Sequence, residues 1–191
     1  MDPLDASKGG RMTPRKIAVV GGECTGKTVL CQALAAELPG LWVPEYLREF
    51  VERAGRAPVA ADQAAIFAAQ VEREATAAEA ATRAGLGWLA CDSAPVMTAI
   101  YSEMYFNDRG LYAPGARHHA TYTFTLLLDA DLTWEPDGLQ RDGPAVRAES
   151  NARIETWLRA HGVAFALIRG SGAARTNAAL AALRALESQP R

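Results

Sequence analysis

The stretch from Lys16 to Leu30, KIAVVGGECTGKTVL, limits the fold more than any other part of the chain. A run of small and β-branched apolar residues climbs into two glycines, Gly-Lys-Thr follows, and a helical apolar pattern begins. GGECTGKT matches G-x-x-x-x-G-K-[ST] at Gly21, Gly26, Lys27 and Thr28. In such a loop the glycines let the backbone turn, so that N–H groups along Gly21, Gly22, Glu23, Cys24, Thr25 and Gly26 face phosphate oxygens. The next helix adds its positive N-terminal end. Lys27 is expected to reach the β- and γ-phosphates of ATP, and the Thr28 hydroxyl to ligate Mg²⁺. The plainer alternative is a glycine turn carrying a surface lysine. The strand-to-helix position is the one the phosphate-binding mechanism demands.

Around this loop, strand and helix signals alternate. Strands are expected at 16–21, 41–45, 88–92, 122–130 and 163–170, with helices over 27–38, two helical pieces between 46 and 84 broken near 54–58, and helices after 92, 150 and 172. Pro39-Gly40 stops the first helix, and Pro44 makes the end of the second strand irregular. Near-continuous apolar strands alternating with helices predict an α/β fold: a three-layer, P-loop kinase-like architecture, with a five-stranded parallel sheet covered on both faces. Ligands in such sheets sit beyond the carboxyl ends of the strands. That rule gathers Gly21–Thr28, Glu45, Asp92, Asp129–Asp131 and Gly170–Gly172.

The 191 residues are sufficient for one full-sized domain, placed at 16–188 after a polar, turn-rich leader at 1–15. The leader lacks an apolar signal core, which argues against export. A formal charge of -2 creates no field favouring nucleic acid, and no apolar run reaches the ~20 residues of a membrane span. The three cysteines, Cys24, Cys31 and Cys91, fit no zinc or redox spacing. A cytoplasmic protein with free thiols is expected. Cys24, in the loop, is the candidate reactive one. Oligomeric state is left open.

Phosphoryl transfer also needs an acceptor, a group to orient it, and positive charge on the moving phosphoryl. Glu45 and Tyr46 close the second strand, with Arg48 and Glu49 one turn on. Glu45 can accept a substrate hydroxyl proton, hold a sugar, or simply favour a helix dipole. Asp92 ends WLACD beside the loop; it is a candidate Mg²⁺ ligand, a candidate base, or a helix cap before Pro95. Gln63, Phe67 and Gln70 share a face of the long helix and are candidates to line a nucleoside cleft. The charged, turn-rich insertion 135–147 carries Arg141 and Arg147. As a flap it would exclude water and neutralise transition-state charge; otherwise it is a solvated loop.

GGECTGKT, PEYLREF, Gln70 in a long helix, ACDS and LLLDADLTWEPDG occur in the order found in the ribosylnicotinamide kinase domain of NadR-type proteins, which the sequence resembles over about 17–187. The same loop also admits an AAA-type ATPase assignment. The resemblance implies transfer of the ATP γ-phosphate to the 5′-hydroxyl of nicotinamide riboside, giving nicotinamide mononucleotide. It implies phosphate and Mg²⁺ roles for Lys27 and Thr28, a riboside site at Glu45, Tyr46 and Arg48, and Asp92 near metal and acceptor hydroxyl. Trp134, Asp137 and Gly138 would lead into the lid. Tyr46 or Trp134 would stack on the cationic pyridinium, with Glu45 or Glu49 balancing it. Three departures stand out. Family members often carry an adenylyltransferase or DNA-binding domain, absent here, so the kinase step alone is expected. The lid position that often holds arginine is Gln140, with Arg141 next. Pro44 adjoins Glu45. Two rivals to this reading are a kinase for another nucleoside or nucleotide, and a nucleotide switch or regulatory ATPase working with a protein partner.

Overall fold

The computed structural model describes residues 13–134 and 143–188. Its strands are β1 (Arg15–Val20), β2 (Gly40–Val43), β3 (Trp88–Asp92), β4 (Phe124–Leu128) and β5 (Ala166–Ile168). Its helices are α1 (Lys27–Glu37), α2 (Tyr46–Ala54), α3 (Gln63–Arg83), α4 (Val96–Phe106), α5 (Tyr112–His119), α6 (Pro144–Ala160) and α7 (Gly172–Glu187). A short 3₁₀ turn, Ala60–Asp62, leads into α3.

All strand pairs are parallel, in the order β2-β3-β1-β4-β5. The continuous apolar runs follow from burial on both faces. Ile17 and Val19 pack with Leu30 and Leu34 of α1 and Leu183 of α7. Ala18 and Val20 point the other way, to Met97 and Ile100 of α4 and Ile154 and Leu158 of α6. On that second face α3 covers Val43, Leu89 and Cys91 through Ala77 and Ala78. The expected three layers are therefore present. The central strand β1 pairs with β3 on one side and β4 on the other. Its C-terminal loop thus opens at the point where chain order reverses, the place where such sheets bind ligands.

Several boundaries differ from the sequence expectation for local reasons. β2 stops at Val43 because Pro44 cannot donate to a ladder. Gly55 closes α2 in a left-handed conformation, and the Asp62 carboxylate accepts the Val59 N–H at 2.8 Å before α3 begins. Residues 144–147, expected within the flap, are instead the start of α6. Pro144 starts α6, where a missing N–H costs nothing, so Arg147 lies in a helical first turn rather than in a loop. Positions 135–142, with Asp137, Gly138, Gln140 and Arg141, fall outside the described residues, as do residues 1–12 of the leader.

One helix has no counterpart in the sequence reading. That helix, α5, contains both Pro114 and Gly115. Pro114 falls in the first turn, where it is tolerated. Gly115 packs on the start of α4, where an added Cβ would make ordinary contact with Val96 Cα at 3.4 Å. Far from the loop, the fully buried Glu74 of α3 accepts hydrogen bonds from Tyr122 Oη at 2.5 Å and is ion-paired with Lys16 Nζ at 2.7 Å. His118 Nε2 of α5 approaches the same carboxylate at 2.9 Å. These contacts tie α3 to the entry end of β1.

Candidate active site

The glycine loop is held in shape from within and from behind. Gly26 adopts φ 81 and Cys24 φ 54, both left-handed, which turns successive N–H groups toward one side. Thr25 Oγ1 donates to the Gly22 carbonyl at 2.8 Å. The Lys27 ammonium, nearly buried, donates to the carbonyls of Gly21 at 3.1 Å and Gly22 at 3.0 Å. Behind the loop, Asn151 of α6 accepts the Gly22 N–H at 2.8 Å. A Cβ at Gly22 would come within 2.8 Å of Arg147 O and of Ser150 Oγ, so only glycine fits against α6.

A second brace comes from the last helix. Arg175 of α7 is 4% exposed and donates to the Thr25 carbonyl, to the Gly170 carbonyl at 2.5 Å, and to Asp131. Asp131 also accepts the Gly170 N–H at 2.7 Å. One guanidinium thus joins the phosphate loop to the ends of β4 and β5, as the strand-end rule anticipated for Asp131 and Gly170. Asp129 is tied to Arg169 at 2.7 Å, and that ion pair holds its carboxyl below the usual carboxylate range. Sequence reasoning missed Arg175. Its only sequence signal is an arginine in the first turn of the final helix, and such a residue is normally a surface one.

Asp92 ends β3 in register with Val19 of β1 and is fully buried. Its Oδ2 accepts the Thr28 hydroxyl at 2.5 Å, and its Oδ1 has no partner. Burial pushes its carboxyl up, and the Glu45 carboxylate pushes it further; Lys27 and Thr28 pull the other way. Ser93 follows in a left-handed conformation with a buried, unpartnered hydroxyl. Such backbone strain beside a carboxylate is typical of working sites. The pairing of Thr28 with Asp92 brings together the two residues proposed for Mg²⁺. Among the described residues no cluster of three or more acidic, His or Cys side chains stands ready as a metal cage. Two oxygens beside a phosphate loop nevertheless suit Mg²⁺, which is commonly held by one or two protein oxygens together with substrate phosphates; Thr28 and Asp92 would hold it.

Next to the loop lies a cleft of about 410 Å³, of a size for a small ligand. Lys27, Cys24 and Glu23 form its loop side, Glu45 and Arg48 one flank, and Gln63, Ile66 and Gln70 of α3 another. Arg48 Nε sits 3.6 Å from Glu45 Oε2 and is buried without a hydrogen-bond acceptor. The facing wall is α4: Met97, Tyr101, Tyr105 and Phe106. The Tyr101 and Tyr105 rings lie 6.2 Å apart at 29°. Tyr101 is hydrogen-bonded to Ser150, and burial raises its hydroxyl far above the usual tyrosine range. These aromatics escaped the sequence reading because an i, i+4 stripe of Met and Tyr reads as core.

Other expected residues stand elsewhere. Tyr46 does not line the cleft; its ring lies under the Arg73 guanidinium at 5.0 Å, and Arg73 is ion-paired with Glu49. That pairing lowers the Glu49 carboxyl. Trp134 is half-buried away from the cleft lining, with an unpartnered Nε1. The aromatics that line the cleft are those of α4. Phe67, grouped with Gln63 and Gln70, is buried among core residues instead of lining the cleft. Arg147 is buried against the loop at Gly22 and donates to the Leu132 carbonyl at 2.7 Å; its Nε is unpartnered. It is a helix residue behind the phosphate loop, because Pro144 starts α6 early.

A family model described as AAA domain matches residues 16–175. No curated protein matches the chain. Among solved structures, NadR protein in complex with NR superposes with TM-score 0.79 at 19% identity, covering 94% of this chain and 53% of that one. NadR protein in complex with NAD and AMP-PNP gives 0.75 at 18%, covering 95% and 51%. Shikimate kinase from Acinetobacter baumannii in complex with shikimate gives 0.50 at 18%, covering 92% and 94%. The chain spans about half the length of the two NadR structures. At these identities the likeness is one of fold, and that fold is the P-loop kinase one expected from the sequence.

Proposed function

The chain belongs to the AAA domain family, and from that premise we propose that it is an ATP-dependent small-molecule kinase that phosphorylates nicotinamide riboside on its 5′-hydroxyl. The observation that carries this reading is the orphaned Asp92 Oδ1: a fully buried carboxylate, anchored to the loop by Thr28, beside a cleft of nucleoside size. A nucleotide switch needs the loop but not a second, aromatic-walled cleft opening onto it.

In this reading the loop N–H groups and the start of α1 hold the triphosphate, and Lys27 moves from the Gly21 and Gly22 carbonyls to phosphate oxygens. Thr28 and Asp92 would hold Mg²⁺, which neutralises charge on the β- and γ-phosphates. Glu45 and Arg48 hold the ribose, an acceptor and a donor side by side. The 5′-oxygen bonds to the γ-phosphorus as the bond to the β–γ bridging oxygen breaks; ADP leaves, and the hydroxyl proton passes to Asp92. Burial raises the Asp92 carboxyl above the ordinary carboxylate range, which makes it a better proton acceptor than an exposed aspartate. The aromatic wall of α4 fits the flat cationic pyridinium, with Glu45 nearby as counter-charge. Arg147 supplies positive charge near the loop; the expected lid arginine, Arg141, lies outside the described residues.

The test is ADP release measured with ATP, Mg²⁺ and a panel of acceptors. Nicotinamide riboside should be turned over best, giving nicotinamide mononucleotide. Best turnover on thymidine or on a nucleoside monophosphate would replace the riboside by that acceptor. Slow hydrolysis indifferent to every acceptor and stimulated by a protein partner would replace the kinase by a switch.

A further inference from the structure

Gln70 offers a donor that nothing in the protein uses. Its Oε1 accepts the Tyr46 backbone N–H at 2.7 Å. A backbone N–H can only donate, so this contact by itself decides which end of the amide faces α2. The Nε2 amino group must then face away from α2. It is buried, has no acceptor, and belongs to a residue that is 4% exposed and lines the cleft. An unpaired buried donor is costly, and few are found in native structures unless something outside the chain completes them.

The surroundings limit what that is. Across the cleft stand Met97, Tyr101, Tyr105 and Phe106, which suit a flat ring. Gln70 is locked at one end by the first residue of α2, so its amino group cannot rotate into an acceptor. It can serve only a ligand group that accepts.

We propose that Gln70 is a specificity-determining residue whose amino group donates to an acceptor oxygen on the ring substituent of the substrate, so that the cleft takes heteroaromatic ribosides bearing a carbonyl or carboxylate. This rests on the kinase reading above. It predicts that the wild-type protein phosphorylates nicotinamide riboside and its carboxylate counterpart, nicotinic acid riboside, and discriminates against pyridinium riboside, which has no substituent.

Gln70→Glu is the incisive variant. One carboxylate oxygen still accepts the Tyr46 N–H, while the donor becomes a negatively charged acceptor. Nicotinamide riboside can turn its own amide N–H toward that oxygen, but nicotinic acid riboside is repelled. The ratio of kcat/KM for nicotinamide riboside to that for nicotinic acid riboside should rise at least about tenfold, mainly through KM. A merely structural role would depress both substrates together and leave the ratio unmoved; a ratio within about twofold of wild type overturns the assignment. If the variant fails to fold, the wild-type protein still decides: pyridinium riboside should lose about tenfold or more in kcat/KM against nicotinamide riboside, and equal turnover overturns the proposal. No turnover of any riboside by the wild type would remove the kinase reading and this inference together, whereas turnover with an unmoved ratio removes the inference alone.

Discussion

The phosphate loop and the cleft beside it share one edge of the sheet but are finished differently. In the loop, several groups are braced inside the protein: the Thr25 hydroxyl and Lys27 by loop carbonyls, the Gly22 N–H by Asn151, the Thr25 carbonyl by Arg175. Beside it, Asp92 Oδ1, Ser93 Oγ, Arg48 Nε and Gln70 Nε2 are buried and unanswered. In the kinase reading a triphosphate offers the same oxygens whatever nucleoside carries it, so a loop whose shape is braced by the protein serves, with its N–H groups and Lys27 turned to the phosphates. A particular acceptor would be recognised by the unpaired groups, each costing about 1–3 kcal/mol until it arrives.

The comparison can be broken most severely at Lys27. Lys27→Ala removes positive charge from the moving phosphoryl, and kcat/KM should fall about 10³-fold while the fold persists by circular dichroism. A loss below tenfold would mean that the loop does not handle the transferred group. Arg175→Ala comes next. It strips the brace from Thr25, Gly170 and Asp131, and urea unfolding should report a loss of about 2–4 kcal/mol together with a raised KM for ATP. An unchanged KM for ATP would show that the loop keeps its shape unaided, and the contrast between a braced region and a waiting one would weaken.

A smaller effect sharpens the cleft side. Asp92 must be ionised to take the hydroxyl proton, and its carboxyl is raised by burial and then by Glu45. In the Mg²⁺-free protein, NMR titration of Asp92 should therefore show a pKa above the ordinary carboxylate range, and added Mg²⁺, held by the same carboxylate, should lower it. Glu45→Gln removes the repulsion and should move the Mg²⁺-free titration to lower pH. A titration that stays in place would show that Glu45 does not act on Asp92. Stability runs the opposite way. A raised carboxyl favours the native state while protonated, so its contribution is present below the ordinary aspartate range and lost as pH climbs through the raised value.

The legibility of these regions differs for the same reason. The loop is one contiguous segment, so glycine positions, Lys27 and Thr28 announce it in the sequence, and β1 and α1 appear within a residue or so of the expected bounds. Asp92 and Glu45 were also readable, because the end of an apolar strand is a local signal with a known place in parallel sheets. The expectation that Tyr46 or Trp134 stacks on a pyridinium rests on the affinity of a cationic ring for an aromatic face and on neighbouring motifs. Neighbourhood in sequence does not say which way a ring points, and the Tyr46 ring turns to Arg73.

What the sequence alone determined is a nucleotide-binding parallel sheet and the identity of its phosphate loop, since both depend on backbone geometry and side-chain spacing within short segments. Tertiary structure alone decided that α4 would face α3 with its aromatics between them. It also decided that Arg175 would cross the chain to Thr25, and that Gln70 would spend its oxygen on Tyr46 and keep its amino group for the cleft. Those choices follow from how helices pack over the two faces of one sheet. Packing joins residues by proximity in space, which no local pattern encodes.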